Sequence, residues 1–353
     1  MRGMKAFLAF VLAFLLCFSI AACSQTGDPD TGGDTGGTDQ DGGHTDGDGN
    51  EGQDDEQKIY DLLLDTTFKN GFTVTADRSN LPDPYLGEVH YNQTEYSDAQ
   101  WILGQWGSRY LITPDSVATA DEDGNWVYQT QSKTVKVNTQ TGSLYMEALA
   151  SEEYDHPRQN GEDWPHLLVE QTGIAEVSPW LNEMQSLTLS IDFVLEKAEN
   201  KMGSDYNAGL HAAQFQWYVT LQNVNPASED YGDMIWFGLQ FYDNRVQWPE
   251  HSITVDGGKE DASGKAIYIV DSKKYLSAPV WEGDRTVVEY DILEDVQKAL
   301  EEARAFTGVE VFQNTEFSDL KITSMNLGWE LPGTFDVAVS IENFSIQYTL
   351  KNE

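Results

Sequence analysis

Cysteine is almost absent from this sequence: its 353 residues contain two, Cys17 and Cys23, both within the first 23 positions. The rest of the chain has no thiol with which to build a disulfide framework, a zinc–thiolate site or a cysteine nucleophile. Basic side chains are the second scarcity. Lys and Arg number 21 against 59 Asp and Glu, a formal net charge of −38 at pH 7. Such a surface repels phosphate backbones, anionic headgroups and strongly anionic glycans, which excludes nucleic acid and leaves neutral or cationic partners. The same charge also keeps a secreted protein in solution. Long helical periods are the third scarcity. Beyond residue 57, short alternating stretches are separated by turn residues about every ten positions with no strand–helix–strand rhythm, so an antiparallel β fold is expected.

What is present begins with an export signal. Arg2 and Lys5 accompany a continuous apolar run over residues 6–20, too short for a lasting membrane span and flanked as a signal peptide is. The run ends at Ile20-Ala21-Ala22-Cys23: a branched apolar residue, two small ones, then cysteine. This resembles the lipobox of bacterial lipoproteins. The resemblance implies cleavage before Cys23, acylation of its thiol and new amino group, and a protein anchored to the cell membrane facing outside the cytoplasm. An ordinary signal peptide cut after Ala22 is the alternative. Residues 24–57 are Gly, Asp and Thr with eleven acidic side chains and no Lys or Arg, a composition that cannot bury enough apolar surface to fold and reads as a self-repelling tether. Its Asp46-Gly47-Asp48-Gly49-Asn50 run resembles the start of a calcium loop. Glu51 and Gln57 stand where that loop needs Gly and Glu, so the match fails. Residues 58–353 remain as one domain, with 48 acidic and 19 basic residues, a net charge of −29.

The centre of that domain is a hairpin. Over residues 211–222, Ala213, Phe215, Trp217, Val219 and Leu221 alternate with Gln214, Gln216, Tyr218, Thr220 and Gln222. Over 234–243, Ile235, Phe237, Leu239 and Phe241 alternate with Trp236, Gly238, Gln240 and Tyr242. Period two puts one set inward and the other on a face of amides, phenols and an indole. Amides bond hydroxyls in both directions and aromatic rings stack on the C–H face of a pyranose, so this face suits a neutral oligosaccharide or polysaccharide. Residues 186–196 alternate as cleanly. If that stretch pairs with 211–222, Asp192 and Glu196 join the polar face. The expected ligand set is thus Gln214, Gln216, Tyr218, Trp236, Gln240 and Tyr242, with Asp192 and Glu196 at its edge.

Further strands are expected at 71–75, 126–130, 134–138, 144–150, 166–171, 266–270, 286–290, 320–331 and 335–350, with a bulge at Asn343. Residues 77–98 and 151–165 are expected as loops. One amphipathic helix is expected at 292–306, where Ile292, Val296, Leu300 and Ala303 recur at helical spacing before Gly308. This pattern of strands resembles the jelly-roll or concanavalin-like sandwiches of carbohydrate-binding modules and of some glycanases and polysaccharide lyases.

Three further constellations bear on chemistry. Glu289, Asp291 and Glu294 have the E-x-D-x-x-E spacing of laminarinase-like glycoside hydrolases, which resemble this stretch if it is one strand. Asp291 and Glu294 equally fit a capping box at the entry of the helix. His211, Gln214, Tyr218 and Arg245 are of the types that lyases use to abstract a proton beside a uronate; yet His211 is in phase with the apolar residues, and Arg245 has Asp243 as a neighbour. His166 with Glu170, and Asp192 with Glu196, share strand faces and could hold a metal. No cofactor is expected, and a structural calcium is compatible with such a sandwich. Three functions stay open: a glycan binder, a glycoside hydrolase or lyase on the same scaffold, and an adhesion or assembly protein without a sugar ligand.

Overall fold

The computed structural model describes residues 57–76, 84–91, 96–257 and 263–352. The export signal, Cys23 and the tether up to residue 56 lie outside the described residues. From the amino end the elements are β1 (Ile59–Asp61), β2 (Phe72–Thr75), β3 (Tyr85–Val89), β4 (Trp101–Gly104), β5 (Thr119–Ala120), β6 (Trp126–Gln129), β7 (Lys133–Asn138) and β8 (Ser143–Leu149). The single turn α1 (Ala150–Glu153), β9 (His166–Thr172), β10 (Met184–Asn200), β11 (Gln214–Asn223), β12 (Met234–Asp243), β13 (Ser252–Val255) and β14 (Ala266–Ile269) follow. The chain closes with β15 (Arg285–Asp291), α2 (Leu293–Ala305), β16 (Leu320–Glu330) and β17 (Phe335–Leu350).

These strands form two mostly antiparallel sheets, the β-sandwich expected from the alternation. One sheet runs β15-β10-β17-β8-β7-β6-β5 with β1 beside β17; the other runs β13-β14-β12-β11-β16-β9-β4-β2-β3. Apolar residues at alternate positions meet between the sheets, where Trp101, Trp217, Trp329, Phe215, Phe237 and Phe241 are all but inaccessible. Burying each such ring is worth ~2–3 kcal/mol. Phe193 of β10 meets Phe215 at 5.3 Å and Phe241 at 5.2 Å between ring centres, so β10 and the central hairpin face each other across the core.

That contact corrects the pairing expected for residues 186–196. β10 is hydrogen-bonded to β15 and β17, in the sheet opposite β11. Asp192 and Glu196 therefore lie on the far side of the sandwich: Asp192 accepts from Arg285 at 2.6 Å and from Asn343 at 2.8 Å, and Glu196 accepts from Ser340 at 2.6 Å. The bulge at Asn343 is present, with φ +49° and a shift of register against Ser190 and Asp192.

The expected helix forms as α2, with Val296, Ala299, Leu300 and Ala303 buried against β10, β12 and β14. It closes one side of the sandwich. The E-x-D-x-x-E reading fails here, because Glu289 and Asp291 belong to the edge strand β15 whereas Glu294 is an exposed helical residue. Ile292, not Asp291, is the capping residue. Asp291 accepts from the amides of Leu187 and Leu293, each at 3.0 Å, and so joins strand to helix. The stretch 77–98, expected as a loop, contributes the edge strand β3, and β13, not expected from the sequence, forms the opposite edge of the same sheet.

Candidate functional site

The outer face of the nine-stranded sheet carries the polar half of the hairpin, and register assigns its rows. One row is Gly238, Tyr218, Asn326, Glu170 and Ile102, from β12 to β4. The next is Gln240, Gln216, Gly328, Leu168 and Gly104, and beyond it Asp243, Gln214, Glu330 and His166. On the other side stand Trp236, Thr220, Ser324 and Thr172. Gln214, Gln216, Tyr218, Trp236 and Gln240 thus share one face, as alternation requires.

Tyr242 does not. The register of β11 against β12 slips between Phe215 and Gln216, so that Phe241 and Tyr242 both oppose Phe215. This β-bulge reverses the alternation for the last residues of β12. Tyr242 turns toward the core, 6.2 Å from Trp329, and Asp243 takes the outward position. Asp243 Oδ2 accepts from Gln214 Nε2 at 3.2 Å and from Gln240 Nε2 at 3.4 Å. Arg245 grips the same carboxylate with Nε at 2.8 Å and Nη2 at 2.5 Å. The pairing of Arg245 with its neighbour is therefore real and bidentate.

A missing Cβ shapes the face at two points. The Tyr218 ring lies over Gly238, where a Cβ would stand 2.4 Å from Tyr218 Cε1 and 2.8 Å from Ile269 Cδ1. Held there, Tyr218 meets Trp236 edge-on at 6.4 Å and donates its hydroxyl to Gln216 Oε1 at 3.0 Å. Burial, and then the charges of Glu330 and Asp256, hold the phenol well above its usual range. Gly238→Ala is expected to displace this ring at a cost of ~1–3 kcal/mol, read by thermal melting and by loss of the near-ultraviolet signal of the Tyr218–Trp236 pair; a variant that melts and absorbs like the parent would contradict the packing. The second point is Gly104. A Cβ there would lie 2.1 Å from Glu170 Oε1 and 3.0 Å from Trp106 Nε1. Glu170 settles into that space, and Trp106 Nε1 donates to its Oε1 at 3.2 Å. Burial pushes this carboxyl up to about 7, against the opposing pull of the indole hydrogen bond.

Glu170, Trp106 and Asn326 were not assigned to the site by alternation of the hairpin. They arrive through β4, β9 and β16, whose neighbourhood is a matter of topology. The signal available in the sequence was the phase of Glu170 with His166 in a strand. Trp101 and Trp106 divide: Trp101 is core, its Nε1 donating to Asp65 O at 2.8 Å, and Trp106 is half-buried on the polar face.

The remaining constellations separate. His166 lies 3.7 Å from Glu330 and contacts Trp164 O at 3.1 Å, away from Glu170. His211 is buried before β11: its Nδ1 accepts from the Asn207 amide at 3.0 Å, which leaves Nε2 to donate to Arg158 O at 2.8 Å. Both nitrogens serve the backbone, so His211 is not a base facing the sheet. Among the described residues no group of three or more His, Cys, Asp or Glu could hold a metal ion.

No family model matches the sequence, and no curated protein matches it. Solved structures similar to it include an endoglucanase from Rhodothermus marinus, 11% identical over 69% of this chain and 100% of that one, with a TM-score of 0.39. A family 12 xyloglucanase from Bacillus licheniformis is 11% identical over 69% of this chain and 94% of its own, TM-score 0.38. Endoglucanase 3 of Trichoderma harzianum is 9% identical over 72% of this chain and 100% of its own, TM-score 0.32. No residue role is carried over from proteins this distant.

Proposed function

We propose that the outer face of the nine-stranded sheet binds a neutral glycan, and that the protein presents it outside the cytoplasm from a lipid anchor at Cys23. The observation that carries the reading is the Tyr218–Trp236 pair standing beside Gln216, Gln240 and Gln214 on one face. The half-buried indole of Trp236 offers stacking surface and the half-buried Gln214 amide can donate and accept, while Tyr218, Gln216 and Gln240 are buried and support them from beneath. The acidic surface favours a neutral saccharide over a uronate.

Binding is favoured over hydrolysis by the placement of carboxylates. Glycosidases hold two carboxyl groups roughly 5–9.5 Å apart across the scissile bond. Here Glu330 faces Gln214 in register, an amide where a second carboxylate would have to stand. Asp243, on the other side of Gln214, has both oxygens engaged by Arg245 and by two glutamines. Glu170 and Glu330 are out of step on adjacent strands, separated by roughly 13 Å along the strand direction at ~3.3 Å per residue.

The full-length protein should bind at least one neutral polysaccharide on a glycan array, and Trp236→Ala should weaken it by about tenfold or more. Trp236 is half-buried, so its removal leaves the core intact. Absence of binding to every neutral glycan would end this reading. Release of reducing ends from the bound polysaccharide would replace binder by hydrolase.

A further inference from the structure

A second site lies around the bulge, at the end of the sandwich where β12 stops and β15 begins. Leu195, Ala198, Tyr242, Arg245, Gln247 and Trp281 line a pocket of about 350 Å³, together with Asp243 and Glu282. Two of the large apolar residues that the surface leaves open meet here: Trp281 is 51% exposed and Val246 is 51% exposed. The bulge that removes Tyr242 from the polar face is what delivers its ring to this pocket.

The polar groups of the pocket are mixed in kind. Arg245 spends Nε and Nη2 on Asp243, which neutralises that carboxylate and leaves Nη1 as a donor. Glu282 uses Oε2 to accept from the Ala198 amide at 3.2 Å, leaving Oε1 as an acceptor. The Gln247 amide is exposed and can do either. The Tyr242 hydroxyl stands among Asp243, Glu282 and Tyr206; burial first, and then these neighbours, push it up to about 12, so it stays a neutral donor. Donors and acceptors set around an open indole, with one uncompensated negative charge, suit a small neutral polyol and disfavour an anion. The ion pair in the wall disfavours an aliphatic chain.

We propose that this pocket is a second saccharide site, taking one neutral mono- or disaccharide unit stacked on Trp281 and hydrogen-bonded by Arg245, Gln247 and Glu282. Its volume is at the low end of the ~300–1,000 Å³ of small-molecule pockets. From the proposed function it takes only the class of ligand, since none of the residues that bind there belongs to the sheet face. Asp243 alone touches both sites, through Gln214 and Gln240 on one side and Arg245 on the other.

The test is fluorine NMR of the full-length protein labelled with 5-fluorotryptophan, the Trp281 and Trp236 resonances being assigned by Trp281→Phe and Trp236→Phe. It is titrated with neutral di- and trisaccharides of glucose, galactose, mannose and xylose. The expected result is a saturable shift of the Trp281 resonance with at least one of these sugars, weakened about tenfold or more by Trp281→Ala and retained in Trp236→Ala. Shifts at Trp236 without any at Trp281 would overturn the second site and leave the sheet face standing. Shifts at Trp281 alone would support the pocket and remove the sheet face, and silence at both would overturn both. Trp281→Ala should melt as the parent does, because half of the ring is already in solvent.

Discussion

Lys133→Met is expected to destabilise the fold by ~3–5 kcal/mol, the cost of leaving a buried charge without its partner. Lys133 and Glu153 are 1% and 3% exposed at their side chains and 2.6 Å apart. Each also meets the remaining hydrogen-bonding needs of the other's surroundings. Lys133 Nζ donates to Tyr110 O at 2.9 Å and Ser132 Oγ at 3.1 Å; Glu153 accepts from Ser132 Oγ and the Arg109 amide, each at 2.5 Å. Removing the ammonium strands a carboxylate in the interior and frees the backbone at 109–110. In a domain of this size the loss corresponds to a fall in melting temperature of roughly 6–20 °C. Glu153→Gln should also be costly, since its single oxygen can serve Ser132 and Lys133 or the Arg109 amide but not both, and the Lys133 ammonium loses its counter-charge. Replacing both partners by apolar residues of similar volume should recover much of the loss. A double-mutant cycle with no coupling between the two positions would show that the pair does not act as described. The effect should reach the polar face, because the same segment leads back to Trp106 and its bond to Glu170.

Glu170→Gln is expected to stabilise the protein at alkaline pH. The folded carboxyl titrates at about 7 because burial opposes its charge, whereas an unfolded Glu titrates near ~4.3. Between these values the folded state holds its proton more tightly than the unfolded one, so this group's contribution is fully present below the unfolded value and is lost as pH rises through 7. Solvent still reaches part of the side chain, which reduces the effect to ~2 kcal/mol. The Gln variant keeps an acceptor for Trp106 Nε1 and never ionises. Melting curves of variant and parent should therefore coincide near pH 4, diverge through neutrality, and differ by roughly 3–8 °C at pH 8 in favour of the variant. A difference that stays flat with pH would contradict the desolvation of Glu170.

How far the sequence reached is clearest along β11 and β12. Ala213, Phe215, Trp217, Val219, Leu221, Ile235, Phe237, Leu239 and Phe241 all prove to be core, because the pleat sends successive side chains to opposite faces whatever the strand's neighbours are. Helix α2 was legible for the same reason, its apolar spacing being a local property of the chain. The site was only half legible. Gln214, Gln216, Tyr218, Trp236 and Gln240 share a face as their phase demands, but Tyr242 was lost to a one-residue bulge and Asp243 gained by it. A bulge depends on how two strands fit together, and alternation within one strand does not encode that fit.

The amino-acid order by itself thus determined which residues of β11 and β12 point inward up to the bulge, and where most of the longer strands and helix α2 run. Tertiary structure alone decided that β10 lies across the core from the hairpin and not beside it, which removed Asp192 and Glu196 from the face. It alone brought β9 and β4 alongside, adding Glu170 and Trp106, and placed Lys133 and Glu153 where water does not reach. Periodicity is set by bonds between adjacent residues and can be read from one segment. Strand order, register and the dielectric around a charge are sums over contacts between residues far apart in the chain, and they exist only once it has folded.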